Sequence, residues 1–297
     1  MTQETRSIPS EKNQSSQPEK PARNDSRIIG RILLIFLLFL ILRLCVEWLL
    51  AIVIMGIVHS VPESTKEALV ILKDGEFVDF TGNTTVIISG ISFAVCGAVI
   101  FGRALGFAKK YTLKKITSPV YAALSCLSAA FLVISLNIII ARSGIAGLSE
   151  GYRQTAAMQY SCAFPIGIIV YGLVTPLSEE LLFRGIIFNG IKSYLSWKPA
   201  MILTSVLFAV YHGNGVQGIY ALIMSLFFIY LYEKSGNLLV PILMHSVSNI
   251  TAYILTYVYG NISSLTSDIL MIAGGILWAA CFALLLSYDR IIKKKND

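Results

Sequence analysis

The uncharged stretch at residues 117–141 decides the class of this protein, and it reads TSPVYAALSCLSAAFLVISLNIIIA. At about 1.5 Å per residue, a helix of this length crosses a hydrocarbon core about 30 Å thick. Inside lipid every backbone N–H and C=O group needs a partner within the chain, so a run that crosses is predicted to be a helix. The stretch therefore predicts a transmembrane helix.

The composition extends this prediction to the whole chain. Apolar residues make up 55% of the 297 residues and charged residues 14%, and the mean hydropathy is +0.71. Soluble domains carry about 25% charged residues. The net charge of +7 does not indicate nucleic acid binding, because the basic excess flanks apolar runs and sets membrane topology there. The five cysteines lie in or beside apolar runs without a CxxC pair, which argues against disulfides or a zinc knuckle.

We predict an all-α, polytopic membrane helical bundle with about eight transmembrane helices. The spans are placed at 32–58, 84–102, 117–141, 166–192, 198–213, 217–232, 238–258 and 266–288. Basic residues dominate alternate loops and the carboxyl-terminal tail, whereas the stretch 59–83 carries five acidic residues against two lysines. Since basic loops stay in the cytoplasm, a multi-pass protein of the cell membrane with both termini cytoplasmic is expected. Residues 1–27, rich in Ser, Gln, Glu, Lys and Pro, are predicted to be a disordered cytoplasmic tail.

Several polar residues lie within the predicted spans, where an ionisable group costs at least ~2.5–3.5 kcal/mol. Glu179 lies 13 residues before Lys192, and His212 lies 14 residues after Lys198, so both lie about 20 Å from the turn that joins their spans. Asn249 has a matching depth in span seven, and His245 lies one helical turn before it, on the same face. The spacing predicts that these groups meet inside the bundle.

Each of these residues also has a structural interpretation. Glu180 and Arg184 are four residues apart and could simply neutralise each other, as could Arg43 and Glu47 in span one. A histidine or asparagine in a membrane helix often forms a hydrogen bond between helices. Pro176 removes a backbone donor from span four, frees a carbonyl and predicts a kink there. The shared depth of the polar groups nevertheless favours a functional site.

Three motifs carry a resemblance to a known family. They are Glu179-Glu180-x-x-x-Arg184, Phe208-x-x-x-His212 and His245-x-x-x-Asn249. In this order they resemble the signature motifs of the CPBP family, which includes the type II CAAX prenyl endopeptidases and the bacterial Abi proteins. The resemblance divides the chain into amino-terminal transmembrane helices (28–160), a CPBP-like catalytic core (161–260), and a last transmembrane helix with a basic tail (261–297).

The resemblance implies an intramembrane endopeptidase that acts on a peptide or protein substrate, of CAAX type or related to bacteriocins. Glu179 and His212 would bind and activate water, while His245 and Asn249 would donate hydrogen bonds to the oxyanion. Glu180, held by Arg184, would be the orienting second carboxylate. Phe208 would support the site.

The metal requirement and two other functions stay open at this point. Glu179, His212 and His245 could form the first shell of a catalytic zinc ion, but the HExxH pattern is absent and a metal-free glutamate mechanism also fits. A proton-coupled transporter could use Glu179, Glu180 and His212 as a relay, although no internal repeat supports transport. A bacteriocin-immunity membrane protein is the other alternative.

Overall fold

The computed structural model describes residues 26–60, 80–111 and 118–296. Residues 1–25 of the predicted tail, most of the acidic stretch 59–83, and the loop lysines Lys114 and Lys115 lie outside these ranges. Residues 26 and 27, which were predicted to belong to the tail, open the first helix instead. The described ranges contain helices and no strand, which confirms the predicted all-α membrane bundle.

Ten helices, α1 to α10, make up the described ranges. In chain order they are Ser26–Ser60, Phe80–Tyr111, Pro119–Ser143, Ile145–Leu148, Glu150–Tyr160, Phe164–Lys192, Trp197–Tyr211, Gly215–Ser235, Leu239–Tyr259 and Ser264–Asn296. The short helices α4 and α5 fall between the third and fourth predicted spans, where no element was expected.

Seven of these helices are long and apolar enough to cross a membrane, within the ranges that the structure describes. The eighth predicted span, span five, corresponds to α7, an apolar helix of 15 residues. At about 22 Å it is shorter than a core about 30 Å thick. Span six was predicted too short at 217–232, because the polar ends of α8 extend the helix to Gly215–Ser235.

Helix α6 changes its winding twice. Two π-helical segments, Val170–Val174 and Leu181–Phe188, flank the α-helical segment Thr175–Glu180. In the first of them the N–H of Thr175 donates to the carbonyl of Val170, five residues back. The next residue is Pro176, which has no N–H, so the carbonyl of Tyr171 receives no donor in this register. The carbonyl whose release was expected from Pro176 is therefore that of Tyr171.

Helix α6 is buried because α2 approaches it closely. A methyl group built on Gly97 of α2 would lie 2.6 Å from Oγ of Ser178, and Oγ itself donates to the carbonyl of Phe93 at 2.6 Å. Small residues of this kind let membrane helices come together at backbone distance. All eight residues of the π segment Leu181–Phe188 are buried. Helix α6 therefore forms the centre of the bundle, with α7, α8 and α9 on its other sides.

Candidate active site

The predicted polar residues surround an internal cavity of about 290 Å³. Its wall includes Glu179 of α6, His212 just after α7, and both His245 and Asn249 of α9, together with Phe208. Two helices, α6 and α9, and the end of α7 thus bring the predicted water-activating and oxyanion-binding side chains to one space. Glu180 and Arg184 do not line the cavity and lie behind its wall.

Glu179 occupies the last turn of the α-helical segment between the two π segments. Its side chain is 5% exposed, and Oε2 lies 3.8 Å from Nε2 of His245. The adjacent Glu180 is fully buried. Neighbouring residues on a helix point about 100° apart, so one carboxylate faces the cavity and the other faces the bundle interior.

The hydrogen bonds of His245 determine its tautomer. Nδ1 lies 2.7 Å from Oε1 of Glu180, and the same oxygen accepts a 2.7 Å hydrogen bond from Nη1 of Arg184. An oxygen that accepts from a guanidinium carries no proton, so Nδ1 is the donor in this pair. Nε2 of a neutral His245 therefore carries a lone pair, and it points towards Glu179.

Arg184 is held on several sides in the bundle interior. It is fully buried, and its Cζ lies 4.7 Å from the ring centroid of Phe208 and 5.5 Å from that of Phe228. These ring faces carry negative potential and stabilise the cation in addition to the Glu180 carboxylate. Phe208 therefore joins the buried ion pair to the cavity wall, which is a supporting role in the geometry.

His212 is oriented by the end of its own helix. Nδ1 lies 2.8 Å from the carbonyl of Phe208, one of the last carbonyls of α7, which lack a partner within the helix. A carbonyl only accepts, so Nδ1 carries the proton and Nε2 of the neutral ring keeps its lone pair. Both site histidines thus present an unprotonated Nε2 when neutral.

Asn249 of α9 forms a hydrogen bond with the first π segment of α6. Its Nδ2 donates to the carbonyl of Tyr171 at 2.9 Å, which receives no backbone donor because Pro176 has no N–H. An amide nitrogen carries two hydrogens, so the second one is available to a group in the cavity. The interhelical interpretation and the functional interpretation of Asn249 are therefore compatible.

Two further residues of the cavity were not predicted. Arg43 of α1 lines it, donates from Nε to Oε1 of Glu47 at 3.1 Å, and reaches the hydroxyl of Tyr211 with Nη1 at 3.4 Å. From the sequence, Arg43 was interpreted only as the ion-pair partner of Glu47. The depth of Arg43 in the membrane could have indicated a place in the site, whereas nothing about Tyr211 except its position before His212 indicated one.

The donor set has the chemistry of a zinc site but not its arrangement. Each histidine lines the cavity and has Nδ1 at an acceptor, as metal-binding histidines do. Among the described residues, however, no group of three or more His, Cys, Asp or Glu side chains could hold a metal ion. Glu179 and His245 form a pair, and His212 does not complete it.

Comparisons with known proteins match the segment of the chain that contains these residues. Residues 161–251 match the family model described as "Type II CAAX prenyl endopeptidase Rce1-like", which confirms the resemblance for that segment. The chain is 29% identical over 132 residues to "Putative membrane peptidase YdiL" of Bacillus subtilis, covering 41% of this chain and 54% of that protein. It is 38% identical over 82 residues to "UPF0177 protein YxdF" of Lactococcus lactis, covering 27% and 45%.

The chain spans about half the length of the curated relatives that it matches. No solved structure matches it significantly. The matched segment begins just before α6 and ends within α9, so it contains every residue of the three motifs.

Proposed function

We propose that this multi-pass membrane protein is an intramembrane endopeptidase that uses water activated by Glu179 and His212. The match of residues 161–251 to the Rce1-like family of type II CAAX prenyl endopeptidases supports this proposal. The observation that carries this proposal is that Glu179, His212 and His245 line one cavity within the bundle, with Nδ1 of each histidine at an acceptor. A carboxylate beside a histidine is a suitable pair for general base catalysis.

In the proposed reaction, a water molecule lies between Glu179 and Nε2 of His212. Glu179 takes one proton from the water as its oxygen attacks the carbonyl carbon of the substrate. The electron pair of the C=O bond moves to the carbonyl oxygen, which becomes the oxyanion. The second hydrogen of the Asn249 amide would donate to that oxyanion, while the first holds the Tyr171 carbonyl.

His245 would carry the proton to the leaving group. Its neutral form has no hydrogen on Nε2, so it cannot donate to an oxyanion until it gains one. Nε2 lies 3.8 Å from Oε2 of Glu179, a gap that tightens to hydrogen-bond length with a small shift. The proton from water passes from Glu179 to Nε2, and the imidazolium then gives it to the amine as the C–N bond breaks. Glu180 stabilises that imidazolium through Nδ1.

The oxyanion re-forms the C=O bond as the C–N bond breaks, so the products are a carboxylic acid, which then loses its proton to solvent, and a new amine. No step of this scheme uses a metal ion. A proton relay for transport would use the same carboxylate and histidines but would release no peptide fragment. Formation of fragments therefore separates the two functions.

The test compares membranes from cells that produce the parent, Glu179→Gln, and the matched control Glu233→Gln, at equal protein levels. Glu233 forms an ion pair with Lys192 at the far end of α8 from the cavity. We expect mass spectrometry of membrane peptides to find new chain ends with the parent and with Glu233→Gln, and none with Glu179→Gln. Identical fragments in all three membranes would contradict the proposal.

A further inference from the structure

The cavity does not lie at the centre of the bundle but towards one end of it. It is bounded by the first half of α6, from Tyr171 to Glu179, by the end of α7, from Phe208 to His212, and by α8 from Val216 to Phe228, together with the middle of α9. Consecutive helices joined by short turns run in opposite directions, so the first half of α6, the end of α7 and the start of α8 lie at the same end of the bundle. We call this end, which contains α5 and the α7–α8 turn, the cavity end. The opposite end, with the α6–α7 turn, is the basic end.

The short helix α7 leaves room at the cavity end. Because α7 is about 22 Å long, the turn that follows His212 lies below the membrane surface rather than at it. Helix α5 lies over this turn: a Cβ atom built on Gly151 would be 3.4 Å from Cβ of Asn214. Tyr152 and Gln159 of α5 contribute to the cavity wall. Helix α5 therefore covers the mouth of the cavity.

Helix α5 lies at the edge of the bundle and is attached to α9 at its last residue, because the Tyr160 hydroxyl donates to Oγ1 of Thr256 at 2.9 Å and its ring stacks on Tyr253. None of its 11 residues is buried, and its ion pair between Glu150 and Arg153 is exposed. Segments with few buried contacts are those that open most easily. By contrast, the cavity is closed towards the basic end by the π segment Leu181–Phe188, in which every side chain is buried, including the paired Arg184.

The charges of the described chain are divided between the two ends. The basic end carries Lys109 and Lys110 at the end of α2, Lys192, Lys198 and Lys234, of which Lys192 is paired with Glu233. At the cavity end, Arg142 is paired with Asp268 and Arg153 with Glu150, so these four described charges cancel. Short loops rich in Lys and Arg stay in the cytoplasm. This rule puts the cavity end on the extracytoplasmic side.

The wall of the cavity indicates what it would bind. Among the described lining residues, Arg43 and Glu179 are the only ones from the Lys, Arg, Asp and Glu types, and Arg43 is already paired with Glu47. The rest of the polar wall consists of neutral side chains: amides such as Asn137, Gln159, Gln217 and Asn249, phenols such as Tyr152 and Tyr171, hydroxyls and the two histidines. Amides can pair with a peptide backbone, and aromatic rings accept apolar side chains.

We propose that the cavity admits its substrate from the extracytoplasmic side, beneath α5, and that the substrate is an uncharged, apolar peptide segment at the extracytoplasmic end of a membrane-anchored chain. This inference rests on the proposed peptidase function. A carboxyl-terminal tail presented in the cytoplasm would meet the buried π segment of α6 before it reached Glu179.

The side of the mouth is tested by labelling intact cells with a membrane-impermeant maleimide, a readout that does not depend on catalysis. Gln217→Cys and Thr155→Cys put a thiol at the cavity end, and Ser193→Cys puts one in the turn at the basic end. We expect the first two to be labelled at least tenfold above the parent, and Ser193→Cys only after permeabilisation. The reverse pattern, or no labelling of either cavity position before permeabilisation, would overturn the inference even if the protein is a peptidase.

The route beneath α5 is tested by a reversible disulfide in Gly151→Cys with Asn214→Cys. The 3.4 Å separation is close to the range of about 3.5–4.5 Å that Cβ atoms span in disulfides. We expect oxidation to lower cleavage at least tenfold and reduction to restore it, with no effect in either single variant. Full cleavage by the oxidised double variant would exclude this route. Bonds cut only with intact Glu179 should lie in extracytoplasmic apolar segments, and cuts confined to cytoplasmic tails would overturn the substrate class.

Discussion

Glu180 and His245, which are 65 residues apart in the chain, are joined by a 2.7 Å hydrogen bond between Oε1 and Nδ1. The carboxylate is fully buried behind the cavity wall, whereas the imidazole lines the cavity. Glu180 can therefore influence a reaction only through His245. In the proposed mechanism it is a positioning residue, and Glu179 beside it is the catalytic carboxylate.

The first prediction concerns this pair. Glu180→Ala removes the acceptor that orients His245 and stabilises its imidazolium. Loss of such an outer-shell partner typically costs about 10–100-fold in activity. We expect kcat of the folded variant to fall by that amount with little change in KM. A folded variant with parental kcat would show that Glu180 serves only the fold.

The second prediction separates charge pairing from catalysis at Arg184. Arg184→Ala leaves the carboxylate of Glu180 buried without its cation, and removing one partner of a buried pair costs ~3–5 kcal/mol. We expect a marked loss of thermal stability in detergent. The double variant Glu180→Gln with Arg184→Gln should be more stable than Arg184→Ala, although its turnover is lowered. An Arg184→Ala protein that is as stable as the parent yet inactive would instead indicate a direct role in the reaction.

The third prediction uses Pro176 to separate two roles of Asn249. Asn249→Ala removes the donor to the Tyr171 carbonyl, while Pro176→Ala supplies a backbone N–H in register for that same carbonyl. We expect the double variant to recover the stability lost by Asn249→Ala but not its turnover, since an oxyanion donor is worth ~2.7–4 kcal/mol. Recovery of both would mean that Asn249 only holds α6.

The fourth prediction concerns metal dependence. We expect the purified protein to keep its turnover after prolonged treatment with a zinc chelator, because the scheme assigns base, acid and oxyanion donor to side chains alone. Turnover should be compared before and after chelation, together with the thermal unfolding temperature. Loss of turnover that added zinc restores would show that Glu179, His212 and His245 rearrange to bind the metal.

Much of the fold was accessible from the sequence because lipid imposes strict rules on apolar runs. Seven of the predicted spans correspond to helices that can cross a membrane, with ends within a few residues in most cases. Depth counting also brought Glu179, His212, His245 and Asn249 to one cavity, because positions on antiparallel helices follow from a constant rise per residue.

Other features depend on tertiary contacts that a sequence pattern does not carry. The first π segment of α6 ends where Pro176 removes a donor, and α9 supplies Asn249 to the carbonyl of Tyr171 in exchange. Helix α5 has a polar composition without a long apolar run, so no span was expected there, yet it covers the cavity. The contact of Arg43 with Tyr211 joins residues 168 positions apart, which no local pattern predicts.

The central claim is that Glu179 is the base for peptide hydrolysis, and the most direct measurement is the turnover of purified Glu179→Gln in lipid nanodiscs. The substrate is any membrane peptide that the parent cleaves, and Glu233→Gln is the matched control. The account predicts that Glu179→Gln inserts and unfolds like the parent but shows no detectable cleavage, while Glu233→Gln keeps near-parental turnover. Near-parental turnover by Glu179→Gln would contradict the account.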